Sequence, residues 1–153
     1  MRYSQAVEWA VCILALIAAE DQTMTNEALH RRLKVSSSYL KKINRKLVVG
    51  GLIKSSYGAS GGFKLARDMR KITLYDLVEA IEGHEPFFKT TGLLEKAFAK
   101  KIERARIGRS LLHKAFSEAQ VRLEDQLKKT TMAQILAEVR NNNVQKKIRK
   151  QYI

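Results

Sequence analysis

The spacing of the hydrophobic residues changes sharply between Ser36 and Ala66, and that change limits the folds open to the chain. Leu40, Ile43 and Leu47 recur at helical spacing, and Gly50-Gly51 supplies helix-ending chemistry just after Val49. From Leu52 to Tyr57 the residues alternate as in a strand. Gly58-Ala59-Ser60-Gly61 is turn chemistry, and residues 62–66 return as a second strand with Phe63 and Leu65 on one face. A helix followed at once by a glycine-tipped hairpin is thus expected near the middle of the chain.

The segments before it read as helices. Residues 4–19 are apolar almost all round, so that helix should be well buried. Thr25 is placed to cap a short helix over residues 26–33, buried through Ala28, Leu29 and Leu33, and Ser36 or Ser37 to cap the next, to about Val49. Helix, short helix, turn, helix and hairpin in this order is the plan of a winged helix-turn-helix. The expected fold class is mainly α with a small β-hairpin wing, extended by a long C-terminal helix.

Charge says what such a unit would meet. Lys and Arg number 29 against 15 Asp and Glu, a net charge of +14. From Leu29 to Ala66 there are nine basic residues and no acidic one. A solvated surface mixes its signs, so a single-sign block inside a folded segment is a footprint for phosphates. Ser37, Ser38, Lys41 and Lys42 fall in the first turns of the basic helix, where a helix in a major groove meets base edges. Arg45 and Lys46 lie further along, towards the backbone. Tyr39 shares the first turns, and the wing tip adds Ser56, Tyr57, Gly58, Ser60, Gly61 and Gly62, where glycine lets main chain approach a phosphate. These residues form the candidate DNA-binding set.

Beyond the hairpin, Thr73 and Asp76 have the spacing of a capping box, followed by Leu74, Leu77, Val78 and Ile81 at helical spacing. Gly83 closes this helix, and Pro86 prevents its continuation. Residues 84–92 read as a linker and 93–104 as weakly helical. Residues 110–129 read as a longer helix whose seam Leu112, Phe116, Ala119, Leu123 and Leu127 suits pairing with a second copy; packing on the same chain's core is the alternative. Thr130 or Thr131 should cap a last short helix. The expected organisation is a DNA-binding domain over 1–83, a linker over 84–109, dimerisation helices over 110–139 and a basic tail over 140–153.

Other classes find little support. The single cysteine, Cys12, cannot form an intramolecular disulfide. The start does not read as a signal peptide, and the apolar run 10–19 is short of the ~20 residues of a membrane span, so a cytoplasmic protein is expected. The three histidines form no recognisable triad, and there is neither a phosphate loop before a helix nor a nucleophile elbow, so an enzyme is not expected. Non-specific nucleic-acid binding by charge alone is the competing reading, without an aromatic platform for RNA.

The runs Val35-Ser36-Ser37-Ser38-Tyr39-Leu40-Lys41-Lys42-Ile43, Gly51-Leu52-Ile53-Lys54-Ser55, and Gly58-Ala59-Ser60-Gly61-Gly62-Phe63-Lys64-Leu65-Ala66 carry a family resemblance. With Met1-Arg2-Tyr3-Ser4 and residues 72–83, they resemble the Rrf-two family of bacterial transcriptional repressors, whose members include the iron–sulfur cluster regulator, the nitrite-sensitive repressor and the cysteine-metabolism repressor. The resemblance implies a homodimer of two winged-helix lobes reading a pseudo-palindromic operator. It places Ser38, Lys41 and Lys42 at base or phosphate contacts and Arg2 near the backbone. Two departures stand out. Tyr57 occupies a position where many members insert an arginine into the minor groove, and a tyrosine brings no cation there. The cluster-binding members carry three cysteines in the region matching residues 84–109, which here has none, so no cluster, metal or other cofactor is expected. His113 falls near one member's histidine ligand, and Glu8 shares a helix face with Cys12, but a buried, inert Cys12 is the expectation. A signal would then act by another route, through an effector or partner protein, with the loop around Phe87-Phe88 a natural place.

Overall fold

The computed structural model describes residues 3–20, 23–58 and 61–140. Seven helices and one hairpin occur among them: α1 (Gln5–Ala19), α2 (Asn26–Leu33), α3 (Ser37–Val49), β1 (Ile53–Ser56), β2 (Gly62–Leu65), α4 (Leu74–Glu82), α5 (Leu93–Ala97), α6 (Ile102–Lys128) and α7 (Met132–Arg140). The expected helix–helix–helix–hairpin order is present, and the fold is that of a winged helix.

The chain divides into two compact units, one formed by Met1–Gly83 with Leu127–Ile153 and the other by His84–Gln126. In the first, α1 contributes Ala10, Ile13, Leu14 and Ile17 to the core, α3 contributes Leu40, Ile43 and Leu47, and α4 contributes Leu77 and Ile81. Only that stripe of α1 is fully buried. Cys12 lies off it and is half-buried, less enclosed than the sequence suggested, because the remaining apolar residues of α1 pack at the edge of the core rather than inside it.

The hairpin pairs Ile53 with Leu65 and Ser56 with Gly62. A third extended segment joins it: Met24 N–H donates to Phe63 O at 3.0 Å, and Phe63 N–H donates to Met24 O at 2.9 Å. This bridge ties the wing to the α1–α2 connection. It also explains Gly62, whose φ is +151° and whose Cβ, if present, would lie 2.8 Å from Met24 O.

The capping box at α4 forms as its spacing implies, with Thr73 Oγ1 accepting from Asp76 N–H at 3.1 Å and Asp76 Oδ2 accepting from Thr73 N–H at 2.8 Å. The same turn receives α7: Met132 N–H donates to Ile72 O at 2.8 Å, Leu74 N–H donates to Thr130 O at 2.9 Å, and Met132 is fully buried. So α7, grouped by the sequence with the dimerisation helices, spends its apolar side on its own chain's core.

The second unit departs most from expectation. The long helix begins at Ile102, two turns before Ser110, while α5 falls in the segment 93–104 read as weakly helical. Gly108 lowers helix propensity there, but tertiary contacts decide the matter. Ala105 is buried, and Arg109 Nε donates to Glu95 Oε1 at 2.8 Å.

Candidate nucleic-acid interface

Helix α3 is positioned by local chemistry that the sequence carries openly. Lys34 ends α2 in the left-handed conformation, φ 55°, and its N–H donates to His30 O at 2.9 Å. The Ser36 hydroxyl then accepts from Tyr39 N–H at 3.3 Å, capping α3. Leu40, Ile43, Asn44 and Leu47 turn inward, whereas Ser37, Ser38, Lys41, Lys42 and Arg45 are exposed. Tyr39 is half-buried against the core, so its ring serves packing first.

The inward stripe contains one anomaly. Asn44 is 1% exposed and is the only buried polar or charged residue among those described. Its Nδ2 donates to Asn26 Oδ1 at 3.1 Å, and Asn26 Nδ2 donates to Ser37 Oγ at 2.9 Å. A hydrogen-bond relay therefore runs from the core, through the start of α2, to the first residue of α3. Because Ser37 Oγ accepts in this relay, its own O–H remains to donate outward. Asn26 and Asn44 were missed in the sequence, although an asparagine between Ile43 and Leu47 in an apolar row was a readable signal.

The wing presents Ser56, Tyr57 and Gly58 to solvent, with Tyr57 95% exposed. Gly61 N–H donates to Gly58 O at 2.9 Å, closing the tip, and Gly61 and Gly62 are half-buried. Arg2 and Ser60 lie outside the described residues. Lys54 faces Lys64 across the hairpin. Like charges directly opposite repel, and an anion between them relieves that cost.

Charge pairing differs among the cations of the first unit. Arg32 is paired with Glu20 and Arg70 with Asp68, each at 2.5 Å. The Arg70 guanidinium beside Asp68, with the Arg70 N–H, lowers the Asp68 carboxyl to a pKa of about 2. Among the described residues Lys41, Lys42, Arg45, Lys54 and Lys64 have no carboxylate partner. Their charge is left to an outside partner.

A family model described as "Iron-dependent Transcriptional regulator", Rrf2, matches residues 3–138. The chain belongs to the Rrf2 family. It is 37% identical over 144 residues to YffB of Lactococcus lactis subsp. lactis strain IL1403, covering 93% of this chain and 91% of that one. It is 41% identical over 100 residues to YwgB of Bacillus subtilis strain 168, covering 64% of each. Both relatives are named as HTH-type transcriptional regulators. Among solved structures, CymR (YrzC), the global cysteine regulator of B. subtilis, superposes with a TM-score of 0.62 at 20% identity, covering 90% of this chain and 98% of that one. T. potens IscR gives 0.59 at 20% identity, covering 91% and 88%. At these identities the likeness is one of fold.

The iron in the Rrf2 description finds no matching donor set. An iron–sulfur cluster is held by several thiolates, and this sequence has one cysteine. Among the described residues no three His, Cys, Asp or Glu side chains gather as a metal site. His113 Nδ1 instead lies 3.4 Å from Ser117 Oγ. In the same unit Phe88 stacks on Phe116, with ring centroids 4.9 Å apart.

Of the expected seam on α6, Leu112 and Phe116 are exposed and Leu123 and Leu127 half-buried; Ala119 is exposed. Phe116 also serves its own chain through Phe88. A second apolar set, which the sequence reading missed, lies on the opposite side of the helix: Ile107, Leu111 and Val121, with Leu111 63% exposed. No helix among the described residues is long and apolar enough to cross a membrane.

Proposed function

We propose that this Rrf2 regulator is a homodimer that reads a pseudo-palindromic DNA operator, acts as a repressor, and senses its signal without an iron–sulfur cluster. The observation that carries the DNA reading is the face of α3 and the wing, where five cations without carboxylate partners flank exposed serines at a helix start. In this reading Ser37, Ser38, Lys41 and Lys42 meet base edges and nearby phosphates, while Arg45 and Arg2 meet the backbone. Ser56, Tyr57, Gly58, Ser60, Gly61 and Gly62 carry the wing along the adjacent backbone. Tyr57, fully displayed but uncharged, favours contact with sugar or phosphate over insertion into a narrow groove. Exposed apolar residues on α6 support association of two copies, which sets two recognition helices at a fixed spacing. A dimer seated on its operator closes that DNA to polymerase, which supports repression. The names of YffB and YwgB support the role of regulator.

The experiment is selection of bound fragments from sheared genomic DNA by the full chain at physiological salt, with sequencing, alongside the mass of the free protein by light scattering. A shared two-fold motif and a mass of two chains are expected. Fragments with no common motif would mean binding by charge alone and would overturn the operator.

A further inference from the structure

We propose that a groove between α3 and α4 binds a small organic oxyanion, and that this anion competes with DNA for the recognition helix. The competition rests on the DNA-binding reading above; the site itself does not. The groove has a volume of about 540 Å³, within the ~300–1,000 Å³ usual for small-molecule pockets. One wall is the flank of α3, where Lys42, Arg45, Lys46 and Val49 follow at i, i+3, i+4 and i+7; the other is α4, with Asp76, Glu79 and Ala80. Arg67, just after β2, completes the lining.

Arg67 says what chemistry is missing. Its Nε is buried with no hydrogen-bond partner. Its Nη2 stands 3.6 Å from Asp76 Oδ1, beyond hydrogen-bond range. The other Asp76 oxygen is committed to Thr73, accepting from N–H and from Oγ1–H at 2.8 Å each. A guanidinium carries five donors in a fixed fork, and here Asp76 pairs with it only at a distance while Nε has no acceptor. A carboxylate or phosphoryl group docks side-on to such a fork with two parallel bonds.

The rest of the lining narrows the class. Lys46 Nζ is spent on Ile81 O, whereas Lys42 and Arg45 have no carboxylate partner among the described residues. The lower part is apolar: Val49 is 81% exposed, and α3 and α4 cross so closely at Gly50 that a Cβ there would lie 2.6 Å from Ala80 Cβ. Glu79, which accepts from Tyr75 O–H at 2.9 Å, repels a second anionic group. The groove therefore fits one anionic head on a short apolar body better than a polyanionic strand. An anion in it neutralises Lys42 and Arg45, the cations proposed for DNA, so the two ligands oppose each other's binding.

The test uses hexanoate on the full chain, with acetate, inorganic phosphate and hexanamide as comparators at constant ionic strength. The ¹H–¹⁵N signal of Arg67 Nε–H is followed by NMR, without DNA. Hexanoate should shift it saturably and hexanamide should not. Acetate should bind at least about tenfold more weakly, since two buried methylenes are worth that much. In the variants, where that signal is gone, the backbone amides of Gly50 and Ala80 in the groove report binding instead: Arg67→Met should abolish their response to hexanoate. Arg67→Lys keeps the charge and loses the fork, so it should weaken that response at unchanged thermal stability. Saturating hexanoate should weaken operator binding about tenfold, an ordinary coupling, and have little effect on DNA binding by Arg67→Met. An unmoved Arg67 signal overturns the site, as does a response to acetate or phosphate equal to that of hexanoate. If Arg67→Met lowers affinity for every DNA and reduces the salt slope by about one, the groove takes a DNA phosphate instead. A protein that binds hexanoate at Arg67 but no DNA would sink the functional reading and leave the site standing.

Discussion

Replacing Asn44 by leucine should raise or preserve stability while lowering operator affinity. Leucine has the same branched outline as asparagine, so the core keeps its shape. The change removes one hydrogen bond, Asn44 Nδ2 to Asn26 Oδ1 at 3.1 Å, worth about 0.5–1.5 kcal/mol net. It also removes Asn44 Oδ1, a buried acceptor with no partner, whose desolvation costs about 1–3 kcal/mol. The slightly larger side chain costs up to about 1 kcal/mol in packing. With mid-range values the balance is a gain of about 0.5 kcal/mol, or about 1–2 °C in Tm for a chain of this size. Operator binding should move the other way. Asn26 loses its anchor, Ser37 loses its fixed orientation, and the outward O–H becomes one rotamer among several. Loss of that preorganisation should cost about 0.5–1 kcal/mol per half-site, the usual range for immobilising a side chain. Fluorescence anisotropy on operator and on unrelated DNA measures it: operator affinity falls and unrelated DNA is unaffected. In a Ser37→Ala background Asn44→Leu should do nothing more, because the relay then ends in nothing. An equal loss in both backgrounds would refute the relay, as would an affinity loss that tracks a fall in Tm.

Other outcomes follow from single contacts. Lys42→Ala should alter sequence preference at one position by about 1–3 kcal/mol if Lys42 reads a base; if it touches only phosphate, titrations at several salt concentrations will show all DNAs weakened alike, with the slope lower by about one. Leu123→Asp should split the dimer if the seam from Leu112 to Leu127 is the interface, whereas Leu111→Asp should split it if the opposite face pairs; sedimentation of the two variants decides. Gly62→Ala should cost about 1–3 kcal/mol by thermal melting, because its conformation disfavours a side chain and Met24 O stands where the methyl must go. The Asp68 carboxyl, lowered from 3.8 to about 2 by Arg70, should support the turn after the wing fully above its ordinary pKa and lose that support as pH falls towards 2; an NMR titration in which Asp68 titrates at its ordinary value would contradict the pairing.

Local signals in the sequence were sufficient for the winged unit and insufficient for what joins its parts. The Ser36 cap, the Thr73–Asp76 box and the Gly51 and Gly83 exits all act within a few residues, so their chemistry is written in adjacent letters. The Met24–Phe63 bridge spans nearly forty residues, and an isolated backbone pairing leaves no side-chain pattern at Met24. The docking of α7 on Ile72 is more distant still, and its apolar residues serve an intrachain core and a dimer interface indistinguishably in sequence. The start of α6 failed for a different reason: Gly108 argues locally for a break, and burial of Ala105 with the Arg109–Glu95 pair outweighs it. In the candidate site, the cations and serines were legible because charge and hydroxyl chemistry are properties of the residues themselves. Arg67 was not, because its interest lies in an Nε without an acceptor, which only its surroundings reveal.

Net charge alone would have pointed to the wrong residues. Of the cations in the first unit, Arg32 and Arg70 are held by carboxylates two to twelve positions away in sequence and add little field at a distance. Among the described residues the five on α3 and the wing are not held by carboxylates, and neither are Arg31 and Lys34, but two of the five, Lys54 and Lys64, are set directly opposite each other. A fold maintains such a repulsion where a partner relieves it. The same reasoning separates α3 into two flanks. In the proposed reading its solvent-facing residues meet a polyanion in the open, where many weak contacts add, while Lys42 and Arg45 also border a groove lined by Glu79 and by Arg67, whose Nε has no acceptor. If both readings hold, one helix offers its cations to two kinds of anion that differ in size rather than in charge, and that difference is a physical basis for release from DNA.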